Sequence, residues 1–418
     1  MGRQLIAAGG GEAAQALPPI SAVRDFPYWE RPDDYWGRAL WAHPPVFFPR
    51  FTEVVDTDPV TGAEIWNIET DVLDPDGPDG AKAWRTCLRS PSVHRYLAVL
   101  DGLHHANTKQ LVAWTGNAVH KRSHYHLGPA FDLGLLERGR YAAGHKHRGK
   151  QTYLWKPHDG KPMQRFVARL AERDPDTARR LFGSRPPRHH AGGPHTRHDV
   201  LTVEALLRLM ETQPRWVAIS PEHHTSPAAV SGDQTAPADY SGDAVLWRDD
   251  GLRVVVEVCA SRNIGHHAAK MEKWASWLGG RDPRETGIVV VFLNAHADKH
   301  RSLARLLRKA HGDVIAPGRL RHHSGQRPHM GETEVQKARS SIVLASWEDW
   351  FPPHHAISEE GVNVACAATR DGRSWVRVDL ADADSYRYRP TVQPAKPHDW
   401  LISPRWLGDV PMTTPKVA

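Results

Sequence analysis

The stretch VVVEVCASRNIG, residues 254–265, decides the fold of the larger part of the chain. A short apolar run that is rich in valine and followed by polar residues is typical of a strand buried on both faces. This strand carries one carboxylate, that of Glu257, close to its end. A buried strand that ends on an acid leaves two interpretations open: a catalytic carboxylate and an ordinary strand-end acid.

A tight hairpin leads to that acid. The sequence predicts strands at 244–247 and 252–259, joined by the turn RDDG. In an antiparallel hairpin the start of one strand lies beside the end of its partner, so we expect Asp243 and Glu257 to converge. A few carboxylate oxygens, with water and substrate phosphate, are what Mg²⁺ or Mn²⁺ binds. The pair therefore predicts a divalent-cation site, and the alternative is two solvated acids.

Helices and strands alternate through the whole segment 197–350. Around the hairpin, apolar periodicity predicts helices at 198–213, 266–280 and 299–312, and strands at 215–220, 287–293 and 341–346. This order indicates an α/β (α+β) fold class, with a mixed sheet and flanking helices.

The segment 91–156 has the order of a winged helix-turn-helix domain. Helices are predicted at 92–106, 107–116 and 120–141, followed by short strands at 140–141 and 151–155. In that fold the third helix enters the major groove and the hairpin, or wing, meets the DNA backbone. Basic residues at the helix starts and in the wing loop are therefore predicted to contact DNA, and the alternative is an ordinary solvated face; they are Lys109, Lys121, Arg122, His124, Lys146, Arg148 and Lys150.

Taken together, these motifs resemble the D…(D/E)-x-K core of the PD-(D/E)XK nuclease superfamily. More narrowly, residues 91–350 resemble the replication-relaxation family of actinobacterial plasmids and integrative elements, which is related to the C-class mobilisation relaxases. The matching stretches are the winged helix, the helix that begins His198-Asp199, RWVAISPE with Glu222, GDAVL, VVVEV, and Lys270-x-x-x-Trp274-x-x-Trp277. The resemblance implies a restriction-endonuclease-like domain, DNA binding and site-specific nicking in plasmid transfer or replication.

The chain departs from this pattern at two positions. Gly242 stands where the family has proline, and Cys259 stands where it has the lysine. A cysteine is a small apolar side chain that cannot stabilise negative charge on a phosphate. The next predicted helix, however, carries Lys270 on the same face as Trp274 and Trp277, the face expected to pack on the sheet. A lysine on that face is costly unless its ammonium reaches an acid or solvent.

We therefore expect Lys270 to reach back to Glu257 and to replace the missing positive charge, and the alternative is a lysine that extends along the helix edge into solvent. The predicted catalytic residues are Asp243, Glu257 and Lys270. The predicted metal ligands are Asp243 and Glu257, with Glu222 either a further ligand or an ordinary loop acid.

Composition sets the limits on partners and compartment. Of 418 residues 40% are hydrophobic, and the net charge of +6 is a mild bias toward polyanions. The 3 cysteines are widely spaced, which argues against a disulfide framework and favours a cytoplasmic protein. No apolar run approaches the length of a membrane span. Outside the two predicted domains we expect a disordered N-terminus (1–25), an aromatic and proline-rich extension (26–90), a basic helix and linker (157–196) and a C-terminal extension (351–418).

The sequence thus favours a DNA-binding protein of a plasmid or other mobile element that acts as a metal-dependent nickase or relaxase. Its expected partner is double-stranded DNA, and a homodimer is compatible with the sequence. The alternative, from another class, is a non-catalytic DNA-binding regulator or accessory factor whose nuclease fold is vestigial.

Overall fold

The computed structural model describes the greater part of the chain. The described residues are 5–7, 46–48, 53–57, 64–67, 73–115, 123–140, 154–158, 161–182, 194–212, 215–296, 300–323, 329–351, 356–358, 364–369 and 374–384. Five of the residues predicted to bind DNA lie outside them, namely Lys121, Arg122, Lys146, Arg148 and Lys150. Most of the N-terminal stretch predicted to be disordered also lies outside, although Leu5–Ala7 form a short strand.

Helices and strands alternate along the described residues. The helices are α1 (Pro78–Arg89), α2 (Pro91–Leu103), α3 (Thr108–Thr115), α4 (Ser123–Asp132), α5 (Lys161–Arg173), α6 (Pro175–Phe182), α7 (Pro194–Thr212), α8 (Pro227–Ser231), α9 (Ile264–Leu278), α10 (Pro283–Thr286), α11 (His300–Val314), α12 (Glu332–Ser341) and α13 (Trp347–Trp350). The strands are β1 (Leu5–Ala7), β2 (Val46–Phe48), β3 (Glu53–Thr57), β4 (Glu64–Asn67), β5 (Ala106–Asn107), β6 (Leu136–Arg140), β7 (Leu154–Pro157), β8 (Trp216–Pro221), β9 (Ala244–Arg248), β10 (Arg253–Cys259), β11 (Ile288–Asn294), β12 (Ile342–Ser346), β13 (Ala356–Ser358), β14 (Val364–Ala368) and β15 (Trp375–Asp379). None of the helices in the described ranges is long and apolar enough to cross a membrane.

The chain divides into two compact units, and the first contains residues 21–207 with 398–409. Its helices accompany an antiparallel sheet in the order β2-β6-β7-β5. The apolar sides of α2, α3 and α4 are buried around Leu97, Leu111 and Phe131, and Trp155 of β7 packs edge-on against Phe131. Helix α1, which precedes the predicted start of the winged helix, packs against α4.

The third helix is shorter than predicted. The sequence suggested one helix through 120–141, but α4 ends at Asp132 and Leu136 already begins β6. Gly134 has φ of 66°, a left-handed conformation that terminates a helix and that glycine adopts without strain. Leu135 and Leu136 are fully buried, so both belong to the core although neither lies in a helix.

The second unit, residues 1–20, 208–397 and 410–418, is built on a seven-stranded sheet in the order β15-β14-β12-β11-β10-β9-β8. Strands β10, β11 and β12 are parallel, and all other neighbours are antiparallel. This mixed sheet with its helices confirms the predicted α/β class. The valines of β10 are completely buried because the strand lies in the interior of the sheet with both faces covered, and each contributes about 1.5–3 kcal/mol.

The sheet continues beyond residue 350, the limit expected from sequence. The hairpin β14–β15 pairs with β12 and extends the sheet by two strands. Arg248 at the end of β9 holds the segment after β15. Its Nη1 donates to the carbonyl oxygens of Leu380 at 2.8 Å and Asp382 at 2.9 Å. The described C-terminal residues therefore belong to this unit.

Helix α9 joins β10 to the parallel strand β11 and carries the predicted lysine. Its first turn is capped by Asn263, whose side-chain oxygen accepts from the His266 amide at 3.2 Å. Trp274 and Trp277 are buried, so the face predicted from their spacing does pack inward. Helices α9, α11 and α12 lie on the same side of the sheet, as expected for right-handed crossovers, and α9 contacts both of the others.

Candidate active site

The pairing of the strands places three acids side by side at one end of the strands of the sheet. Val256 of β10 pairs with Ala244 of β9, so Glu257 lies beside Asp243, whose amide donates to the Val256 carbonyl at 2.8 Å. On the other side of β9, Pro221 pairs with Ala244, and Glu222 follows directly in a short 3₁₀ turn. The predicted convergence of Asp243 and Glu257 is therefore present, and Glu222 is the next acid along the same edge.

Lys270 supplies the positive charge at this edge. Its Nζ lies 2.5 Å from Glu257 Oε2 and 3.6 Å from Asp243 Oδ1. The helix-face argument predicted that Lys270 would reach Glu257, and the structure brings the two together. The lysine side chain keeps 26% of its surface exposed, whereas the side chains of Glu257 and Asp243 keep only 3% and 7%. The lysine side chain is thus more exposed than the two carboxylates that its ammonium contacts.

Each carboxylate is held by a second donor. The Val258 amide donates to Asp243 Oδ2 at 2.6 Å, and the Trp274 indole Nε1 donates to Glu257 Oε1 at 2.9 Å. Tyr240 packs edge-on against Trp274 with ring centroids 5.2 Å apart, and its hydroxyl donates to the Lys273 carbonyl at 2.9 Å. One oxygen of each acid is therefore fixed by the protein, and the other oxygen faces the ammonium.

Burial and charge act against each other on these groups. Burial raises the pKa of Glu257 to about 7, and Lys270 only partly offsets this. For Lys270, burial would lower the pKa, but the charges of Asp243 and Glu257, with a smaller contribution from Glu222, hold it above its usual range. The lysine is therefore charged at neutral pH, while Glu257 titrates in the range where general acids and bases operate.

The donor set suits a small, hard cation that keeps water and phosphate ligands. Two carboxylate oxygens, Asp243 Oδ1 and Glu257 Oε2, already face one positive charge, that of Lys270. Mg²⁺ commonly uses only one or two protein carboxylates together with substrate phosphate. No group of three or more histidine, cysteine, aspartate or glutamate side chains in the described ranges is arranged to hold a metal. A cation held by Asp243 and Glu257 would therefore need further ligands from water or substrate.

The two departures from the family pattern have physical explanations. A Cβ at Gly242 would lie 2.3 Å from Cγ1 of Val255 and 3.3 Å from the Val256 carbonyl oxygen, so only glycine fits without movement of buried atoms. The Gly242 carbonyl also accepts from the hydroxyl of buried Thr225 at 2.5 Å. Cys259 is buried beside Asn294 of β11, and burial holds the pKa of its thiol well above the usual range, so it is not a nucleophile.

The predicted DNA contacts are only partly described. Lys109 lies in the first turn of α3 and is half-buried, and His124 lies in the first turn of α4. The other five predicted contacts are outside the described residues, as stated above.

A second polar cluster, which the sequence did not reveal, lies in the first unit. Asp199 at the start of α7 accepts from His105 Nδ1 at 2.5 Å and from His198 Nδ1 at 3.1 Å. Burial would raise the pKa of Asp199, but these two bonds hold it below its usual range. Next to it, Gln110 Nε2 donates to Glu204 Oε2 and to the Val200 carbonyl, both at 3.0 Å. These bonds fasten α7 to α3; the pair His198-Asp199 was visible in the sequence, but its partner at 105 was not.

No family model, characterised protein or solved structure that was compared with this chain matches it. The resemblance to the replication-relaxation family stays a prediction from the motifs.

Proposed function

We propose that the chain is a DNA-binding protein of a plasmid or other mobile element, with a metal-dependent nuclease or nickase site at the edge of a restriction-endonuclease-like sheet. The observation that supports this most is the contact of a single ammonium, that of Lys270, with both Asp243 and Glu257. In a metal-dependent nuclease, two such acids would hold the metal ion and an ammonium beside them would stabilise the negative charge on the phosphate.

In this proposal Asp243 and Glu257 would hold Mg²⁺ or Mn²⁺, with Glu222 as a further ligand. Such an ion would supply Lewis-acid chemistry there, namely polarisation of the scissile phosphate and a lower pKa of water at the site. Lys270 would stabilise the negative charge that develops on the phosphate, because its ammonium contacts both acids. Trp274 keeps Glu257 oriented through its indole hydrogen bond.

The first unit is proposed to be the DNA-reading part. The order of α2, α3 and α4 followed by the β6–β7 hairpin supports a winged helix, with contacts from Lys109, Lys121, Arg122 and His124 and from the wing residues Lys146, Arg148 and Lys150. Membership of the replication-relaxation family, a cytoplasmic location and a homodimer belong to the same proposal.

A second candidate is a DNA-binding regulator with a vestigial nuclease fold. What favours it is the replacement of the motif lysine by buried Cys259, together with the ability of Lys270 to neutralise the acids as a purely structural ion pair.

Plasmid cleavage distinguishes the two. Supercoiled DNA would be incubated with the full chain and Mg²⁺ or Mn²⁺, with EDTA as a blank, and compared with Glu257→Gln, which keeps the side-chain volume. The matched control is Glu272→Gln, an exposed acid on the same helix as Lys270. The nuclease proposal expects nicking by the wild type and by Glu272→Gln only. Equal cleavage by wild type and Glu257→Gln, or none by either, overturns it; DNA binding without cleavage that is lost in Lys121→Ala/Arg122→Ala supports the regulator.

A further inference from the structure

Helix α11 presents a row of cations to solvent. Arg301, Arg305, Arg308 and Lys309 are exposed, and steps of three and four residues put them on one face of the helix. The opposite face is apolar and packed, because Leu303, Leu307 and Ala310 are buried. We call the four cations the α11 basic face.

Among the described residues these cations have few partners. Within the described part of the chain none of the four forms an ion pair, and the contact of Arg308 is with a ring, its guanidinium lying 5.7 Å from the centre of Trp375. Exposed cations with acids within reach usually pair with them, as Arg215 does with Asp249 at 2.9 Å in the same unit. A helix face that combines four positive charges, none of them in an ion pair within the described residues, has a positive local potential.

The α11 basic face begins at the same edge of the sheet as the candidate active site. Strands β10 and β11 are parallel and in register, with Cys259 opposite Asn294, so their C-terminal ends share one edge. Glu257 lies at that end of β10, and α11 starts a few residues after the same end of β11. Helix α11 also packs against α9, the helix that carries Lys270. A polyanion with one phosphate at the acids can therefore continue along α11.

We propose that the α11 basic face binds the phosphate backbone of the DNA that enters the active site. This rests on the proposed function in that the ligand is DNA. Arg301, Arg305 and Lys309 follow one another at intervals of about one helical turn and span about 12 Å along the axis. Duplex DNA has one phosphate per roughly 3.4 Å of axis on each strand, so the face is long enough for several phosphates.

An anionic membrane is the weaker alternative. A helix that binds a membrane surface needs an apolar face to insert between the lipids. In α11 that face is occupied, because Leu303 and Leu307 are buried in the unit. What remains is a purely electrostatic surface, which suits phosphates arranged along a nucleic-acid backbone and contributes no base specificity.

The test is duplex DNA binding by fluorescence anisotropy at several salt concentrations, in EDTA so that cleavage does not interfere. Wild type would be compared with Arg301→Gln/Arg305→Gln/Lys309→Gln and with a matched control, Arg284→Gln/Arg319→Gln/Arg321→Gln. The control removes the same charge from exposed arginines that lie in α10 and after α11. Each lost phosphate contact makes the slope of log K against log salt shallower by about 1, so we expect about 3 for the first triple variant and no change for the control.

The outcomes separate this inference from the function on which it rests. Weaker binding to unrelated duplexes, with the shallower slope confined to the α11 variant, supports the inference. If wild type binds DNA and the α11 variant binds equally well, or the control loses as much, the inference is overturned while DNA binding stands. If wild type binds no DNA, the proposed function itself is overturned. If the α11 variant still binds DNA but no longer binds phosphatidylserine vesicles that the wild type binds, the inference is overturned in favour of a membrane.

Discussion

Replacing Glu257 by glutamine is predicted to change how the stability of the protein depends on pH. Glu257 has its pKa raised from an ordinary 4.5 to about 7, with burial the largest cause. Between these two values the native protein binds a proton at Glu257 that the unfolded chain has released. The free energy of unfolding of the wild type therefore falls, relative to the variant, as pH rises through this window.

The size of the effect follows from that rise in pKa. At about 1.36 kcal/mol for each pKa unit, the rise corresponds to about 3 kcal/mol. Glu257→Gln carries no titratable group there, so its stability should gain about 3 kcal/mol on the wild type between pH 4.5 and 7 and keep a constant difference above that. His311, whose pKa burial lowers to about 4, titrates in both proteins and cancels in the comparison.

Urea unfolding followed by tryptophan fluorescence at pH 4.5 to 8.5 measures this difference. The control is Glu272→Gln, which removes an exposed carboxylate from the same helix and should give a curve parallel to that of the wild type. If the difference between wild type and Glu257→Gln stays constant to within about 1 kcal/mol over this range, Glu257 ionises at its ordinary pKa. The attraction of Lys270 would then outweigh burial, and the reasoning is refuted.

Three further predictions concern the same edge of the sheet. Lys270→Met should lower plasmid cleavage by about 10²-fold or more, as expected when a charge-stabilising group is removed; unchanged cleavage would exclude a catalytic role for the lysine. Adding Cys259→Lys to that variant should restore part of the cleavage, because residue 259 lies two positions beyond Glu257 and so on the same face of β10; a double variant no more active than Lys270→Met would contradict this. Gly242→Ala should destabilise the protein by about 1–3 kcal/mol through overpacking against Val255. Gly280→Ala, where nothing lies within 4 Å of the added Cβ, is the control, and equal thermal shifts for the two would contradict the packing argument.

Local sequence patterns predicted the elements of the second unit because their apolar periodicity is strong. The valine run of β10 is typical of a buried strand, and the spacing of Lys270, Trp274 and Trp277 indicated the inward face of α9. From these two facts we expected Lys270 to reach Glu257, and the structure shows this contact. This contact joins a strand to the helix that directly follows it in the chain.

What the sequence could not supply are relations between segments far apart in the chain. The position of Glu222 beside Asp243 depends on the pairing of β8 with β9. The continuation of the sheet into β14 and β15 depends on the pairing of β14 with β12. The early end of α4 was missed because Gly134 could equally have been read as a tolerated residue within a helix. The bond from His105 to Asp199 joins residues 94 positions apart, and neither residue type requires it.

The positive charge of the site comes from helix α9 and not from β10, the strand that carries Glu257. A lysine at position 259 would be fixed to the same strand as Glu257, whereas Lys270 reaches the acids from α9 and depends on the packing of that helix. The same helix provides Trp274, which holds the other oxygen of Glu257. A small shift of α9 would therefore move the ammonium and reorient the carboxylate together. Helix α9 packs against α11, the helix that carries the α11 basic face. In the proposed enzyme, the residues that bind the phosphate backbone and the residue that supplies the catalytic charge thus lie on two helices in contact.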